Sequence, residues 1–250
     1  MIKEAIKYLI SVGTSPDSRF VDVVDAQGVD RTFVVDDTGF AREIDPLVVH
    51  AEDALKINTL TGLVAYIQSK VERSTEPLFL QVLDEKTVYL KGSLAVDGSR
   101  ETLVIASAIV PRFAYDTFLS IEELNISLQA KFVASDDSRV MLKVIGNIKE
   151  ENVKETGDNG ISQAVTIKTG IASMDDVKVP NPVALAPYRT FLEVEQPTSN
   201  FIFRMKDGPK GAIFEADGGA WRNDAIANIS AFLAETLTEE IAKGHITIIA

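Results

Sequence analysis

Apolar and polar positions recur along the chain with two different periods. From Asn58 onward, Leu60, Leu63, Val64, Ile67 and Val71 lie three and four residues apart, the spacing of a helix buried on one face. Asn58 stands where an N-cap would accept a bond from the first free amides, which predicts a helix near residues 59–73. The period then shortens to two. LFLQVL, TVYL and TLVIASAIV read as strands, with DEK and DGS as turns. Upstream, RFVDVVD and RTFVVDD flank AQGVD and predict a β-hairpin, while Ile2, Ile6, Leu9 and Ile10 share one helical face. Ser120 and Glu123 have capping-box spacing for a helix starting at Ile121, although Ile126, Leu128, Ala130 and Phe132 also alternate as a strand would. A helix from about Ser138 places Met141, Val144, Ile145 and Ile148 on one face, with Asp136 and Asp137 near its positive end. Beyond a proline-punctuated, β-rich stretch over 161–216, a helix over roughly 222–242 carries the stripe Ile226, Ile229, Leu233, Leu237 and Ile241. Gly244 stops it, and His245–Ala250 forms an apolar tail suited to an edge strand. The expected fold class is α+β, with mixed or antiparallel sheets built from hairpins and about four helices, including a long C-terminal one. Residues 1–57 form an acidic N-terminal helix and hairpin segment and 58–250 the α+β core, the two being compatible with one continuous domain.

Composition narrows the chemistry. The 250 residues include 37 acids and 25 bases, a net charge of −12, and 46% are hydrophobic, enough for a core without disulfides or metal. Cysteine is absent and only His50 and His245 are imidazoles, which removes thiol nucleophiles, Cys-containing zinc sites and a three-histidine metal site. The apolar stretch 103–110 is far shorter than the roughly 20 residues of a membrane span, and Glu4 and Lys7 break up the N-terminal apolar stretch, so a cytoplasmic protein without membrane contact is expected. Between Thr14 and Asp53, ten acids face three bases, a net of −7. That segment reads either as a solvated, acid-lined hairpin or as a surface that docks a basic partner.

Neither GxGxxG nor GxxxxGK[ST] occurs, nor does a G-x-S-x-G elbow, and no cofactor is expected. The pairs Asp36–Asp37, Asp136–Asp137 and Asp175–Asp176 read as turn and helix-start residues rather than cation ligands, and Asp158-Asn-Gly as a turn. The segment 187–205 is the most informative. With PTSN as a four-residue turn, strands 190–196 and 200–205 would pair, placing Leu192, Val194, Phe203 and Met205 on one face and Glu193 opposite Arg204 on the other, with Arg189 on the Glu193 side. The charged set is either a solvated ladder that fixes register or an Arg/Glu site for an anionic group or a partner's carboxylate. Downstream, Asp217-Gly218-Gly219 supplies positive φ before the last helix, and Trp221, the only tryptophan, stands at the helix entrance as an anchor in a core or interface. Arg189, Glu193, Arg204, Asp217 and Trp221 are therefore the candidate binding residues; no catalytic or metal-ligating residue is assigned.

Three motifs in order, DNGISQAVTIKTGI, PYRTFLEVEQPTSNFIFRM and ADGGAWRNDAIANI, resemble the YfdQ family of bacteriophage and prophage proteins, and the resemblance covers approximately Asn58–Ala250. It implies a phage-derived cytoplasmic protein and brings no catalytic residues. The expectation is a non-catalytic accessory protein that acts by binding, as a homo-oligomer with a host or phage protein partner. A nucleic-acid-associated accessory of phage replication or recombination is the second reading, with KDGPK and the Arg-bearing strands as a basic groove. A carboxylate-based metal-dependent hydrolase is the third.

Overall fold

The structure, a computed structural model, describes residues 19–24, 28, 30–36, 38–44, 51, 53–72, 76–95, 98–146, 156–158, 163–165, 181–206 and 210–250. The expected N-terminal helix, His50, Ile148, Asp175–Asp176 and the turn after Asp158 lie outside these residues. The chain divides into two compact units, residues 1–52 with 93–101, and residues 53–92 with 102–250.

In the first unit, β1 (Arg19–Val24), β2 (Asp30–Val35) and β3 (Ala41–Ile44) form an antiparallel sheet in that order. The expected hairpin is present, with Asp22 opposite Thr32, whose hydroxyl donates to Asp22 Oδ1 at 2.8 Å. Between β2 and β3, Asp36 organises the turn. Its Oδ1 accepts from Thr38 N (2.9 Å), Thr38 Oγ1 (2.6 Å) and Phe40 N (2.9 Å), and the Thr38 hydroxyl above all holds its carboxyl below the usual value.

Two sheets belong to the second unit, one of them extending through two of its strands into residues 93–94 and 100–101 of the first unit. In that sheet, β4 (Leu55–Ile57), β5 (Leu78–Asp84), β6 (Thr87–Leu94), β7 (Arg100–Ser107) and β14 (Ile246–Ile249) take the order β14-β5-β6-β7-β4, with β14 parallel to β5 and β4 parallel to β7. The apolar tail thus completes an edge of its own chain's sheet. One face of this sheet, bearing Leu78, Leu80, Val88 and Leu90, packs on helix α1 (Leu60–Ser69), which contributes Leu60, Leu63 and Ile67. Thr59, not Asn58, is the N-cap of α1: its hydroxyl accepts from Gly62 N at 3.1 Å, while Asn58 donates its side-chain amide to Ser107 O at 2.9 Å. Lys70 adopts a left-handed conformation (φ 52°) and closes α1 before Val71, which is 78% exposed.

The second sheet has the order β11-β12-β13-β8, formed by β8 (Leu119–Ser120), β11 (Val183–Leu185), β12 (Ser199–Lys206) and β13 (Lys210–Glu215). Its inner face, with Phe201, Phe203, Met205 and Ile213, packs on α2 (Ile121–Lys131) and α3 (Asp136–Gly146), which supply Leu124, Leu128, Met141, Val144 and Ile145. The capping box at Ser120 and Glu123 is formed, and helix prevails over the competing strand alternation of 126–132. The short strands β9 (Thr156–Asp158) and β10 (Gln163–Val165) pair as a hairpin, and β10 runs close to β12.

The expected pairing of 190–196 with 200–205 is not what the chain adopts. Strand β12 pairs instead with β13, which places Ala212 opposite Arg204, and residues 190–196 form an irregular turn with Leu192 68% exposed. Gln196 accounts for the difference. Its Oε1 accepts from the amides of Arg189 (3.0 Å) and Thr190 (3.3 Å), and its Nε2 donates to the carbonyls of Phe191 (2.9 Å) and Val194 (3.2 Å). Those backbone groups are withdrawn from any strand ladder.

The terminal helix is two pieces, α4 (Trp221–Thr236) and α5 (Thr238–Ala242), divided at Leu237. Ile229, Leu233 and Leu237 are fully buried against the five-stranded sheet, and Gly244 (φ 69°) turns the chain into β14.

Candidate functional site

Of the five candidate residues, the fold gathers Arg189, Asp217 and Trp221 and sends Glu193 and Arg204 elsewhere. Arg189 precedes the Gln196-locked turn and is only 6% exposed. Its guanidinium lies 3.8 Å from the centroid of the Trp221 ring and 5.8 Å from that of Phe201. Nη1 donates to Glu215 Oε1 at 3.1 Å and Nη2 donates to Ser199 Oγ, whereas Nε has no partner among the described residues. The carboxylate that serves Arg189 is therefore Glu215 at the end of β13, not Glu193. Burial drives the Arg189 pKa below its ordinary value, and Tyr115, Glu215 and Asp217 oppose that.

Asp217 opens the turn into α4. Its Oδ1 accepts from Gly219 N at 3.0 Å, and Gly218 and Gly219 take the expected positive φ of 64° and 81°. Burial pushes its carboxyl up, but the Ser199 hydroxyl, the Gly219 amide and the Arg189 charge together prevail and hold it below the usual value. Two cations lie over the Trp221 ring, Arg189 at 3.8 Å and Arg222 at 4.9 Å from its centroid, and its Nε1 has no partner among the described residues. Tyr115 stacks on Phe201 at 5.7 Å, and burial pushes its phenol up to about 12, a shift that Arg189 opposes and Glu215 reinforces. Sequence reading missed Tyr115, Ser199 and Glu215. Apart from Arg189 Nε and Trp221 Nε1, the polar groups bond one another, Arg189 to Glu215 and Ser199 and Asp217 to Ser199, which ties the 189–199 segment to β13 and to the start of α4.

Glu193 does different work. Its Oε1 accepts from Leu60 N (2.8 Å) and Thr61 N (3.3 Å), placing a carboxylate at the positive end of α1. Arg204 projects from the outward face of β12, half-buried, with Nη1 unpartnered among the described residues. On that face the register sets Ile202 opposite Phe214 and Lys206 opposite Lys210. Phe118 meets Phe214 edge-on at 6.1 Å, and Lys206 Nζ lies 5.7 Å from the centre of the Phe118 ring.

The carboxylate pairs are structural where described. Asp136 pairs with Arg139 at 2.8 Å and Asp137 accepts from Ala184 N at 2.8 Å, both beside a cleft of about 350 Å³ that Glu195 and Gln196 also line. Among the described residues no group of three His, Cys, Asp or Glu side chains converges to hold a metal ion, and no helix is long and apolar enough to cross a membrane.

Comparison with known proteins returns no matching family model, no matching curated protein and no matching solved structure.

Proposed function

We propose that the protein acts by binding, as a homo-oligomer assembled through its three-stranded sheet, and serves as a phage-derived accessory with a host or phage protein as its further partner. The phage origin rests on the three ordered sequence motifs. The observation that carries the assembly is the surface of β1–β3: Phe20 (53%), Val21 (40%), Val23 (44%), Val24 (64%), Phe40 (68%) and Ile44 (37%) are exposed, while Val34 is the buried apolar residue of these strands. Val21 and Val23 lie on the face opposite Phe20, Val24 and Ile44, so both faces of the sheet expose apolar side chains, and exposed apolar area supports an interaction site. By strand alternation, one face carries Phe20, Val24 and Ile44 together with Asp22, Arg42 and the buried Val34, so two copies offer each other apolar area and opposite charges. Size-exclusion chromatography with light scattering tests the reading. The expected mass is a multiple of 27.2 kDa that falls to the single-chain value in the F20D/V24D variant, with Trp221 emission unchanged. A mass of 27.2 kDa across micromolar concentrations overturns it.

A further inference from the structure

The outward face of the β12–β13 hairpin carries a charge arrangement that the fold does not explain. Lys206 and Lys210 stand directly opposite one another, a like-charge pair that opposes strand pairing, and Arg204 lies two residues further along the same face. Among the described residues, no carboxylate forms an ion pair with any of the three, although the protein has 37 acids. Glu123, whose carboxyl feels Lys210, is itself committed to the Ser120 cap through bonds of 3.0 and 2.8 Å. Beside these cations lie two aromatic rings, Phe118 and Phe214, each partly exposed, and Ile202, 36% exposed. Lys206 and Lys210 remain exposed although β10 runs close to β12.

From this juxtaposition we infer that the outward face of β12 and β13 is a docking platform for single-stranded nucleic acid, with Arg204, Lys206 and Lys210 on the phosphates and Phe118 and Phe214 offering ring surface to the bases. Cations interleaved with aromatic rings on an open sheet are the combination that single strands use, because every base has a face to stack and every nucleotide a phosphate to neutralise. Rings distinguish this occupant from an acidic peptide, which would use the charges alone. The net charge of −12 disfavours phosphates away from a cluster of cations that, like this one, is unpaired among the described residues. This site is independent of the β1–β3 sheet, and its test does not depend on assembly.

The test is fluorescence anisotropy of a labelled oligo-dT 20-mer titrated with the full chain, with poly-L-glutamate as competitor. Three phosphate contacts give a log–log salt slope of about −2 for a single strand, so raising sodium chloride about fourfold should weaken binding about twentyfold. The exposed pair K206Q/K210Q should weaken binding by about tenfold, and F118L, which retains apolar bulk but loses the ring, by a further factor of about five to ten at unchanged salt slope. A thermal melt of each variant that matches the parent chain establishes that binding and not folding is being read. Failure of oligo-dT to bind at low salt overturns the proposal, as does binding that K206Q/K210Q leaves intact. Displacement by poly-L-glutamate at equal charge concentration, with F118L inert, overturns it in favour of a purely electrostatic, acidic-peptide site.

Discussion

Removal of the Arg189 side chain is the sharpest probe of the cluster around Trp221. In Arg189→Ala, the Trp221 ring loses a guanidinium 3.8 Å from its centroid, a desolvated cation–π contact worth roughly 2 kcal/mol. Glu215 loses a 3.1 Å charged hydrogen bond, but its side chain is 31% exposed and rehydrates, so this loss is about 1 kcal/mol rather than the full cost of an orphaned buried charge. Ser199 loses its Arg189 donor, and the emptied volume beneath Phe201 and Trp221 adds roughly 1 to 2 kcal/mol. Against these stands the relief of no longer burying a charge, which makes the net cost about 3 kcal/mol, or roughly 10 °C in Tm for a unit of this size. Urea unfolding followed by tryptophan fluorescence is the assay, because Trp221 is the only tryptophan and sits at the perturbed site. The native emission should shift to the red as water reaches the ring, together with an earlier midpoint. A variant whose midpoint and native emission both match the parent chain would refute the anchoring role.

Leu233→Ala, at a position with no exposure in the middle of α4, should cost about 2–5 kcal/mol in a thermal or urea melt, whereas an unchanged melt would mean that the terminal helix is not part of the core. The phenol of Tyr115, pushed up to about 12 from an ordinary 10, favours the folded state while neutral; the unfolded chain gives up its proton first, so stability is full below about pH 10 and declines between about pH 10 and 12. Tyr115→Phe should flatten that alkaline decline, as read from urea midpoints at stepped pH, and an identical slope in both chains would contradict the assignment.

Local periodicity was readable wherever burial acts on one face. The three- and four-residue spacing of Leu60, Leu63 and Ile67 gave α1, and the Ser120–Glu123 spacing gave the capping box of α2, since each depends on neighbours within one turn. What eluded sequence reading was partner choice over distance. Glu193 and Arg204 are spaced as a hairpin pair, but the Gln196 amide consumes four backbone groups of the intervening segment and leaves Arg204 to the β13 register. The Asp-Gly within KDGPK was the available turn signal for the β12–β13 hairpin, and reading it as a basic groove concealed the pairing. Trp221 and Asp217 were legible as a helix-entrance anchor from Asp-Gly-Gly-Ala-Trp; that Arg189 would stack there was not, because no local pattern encodes a contact between segments separated by two strands.

The parallel pairing of β14 with β5 joins Ile246 to Leu78, and this has a consequence for the order in which the protein is made. Synthesis runs from the N-terminus at about 5–20 residues per second, so the edge of β5 leaves the ribosome well before its partner exists, with a wait on the order of ten to thirty seconds. During that interval the nascent chain displays an unfilled strand edge beside Leu78 and Leu80, residues that are fully or nearly fully buried once folding is complete. Closure of this edge therefore waits until residues 246–249 have emerged, even though hairpins such as β5–β6 can form earlier. The unfilled edge stays open for longer than in a protein whose sheet pairs only sequence neighbours.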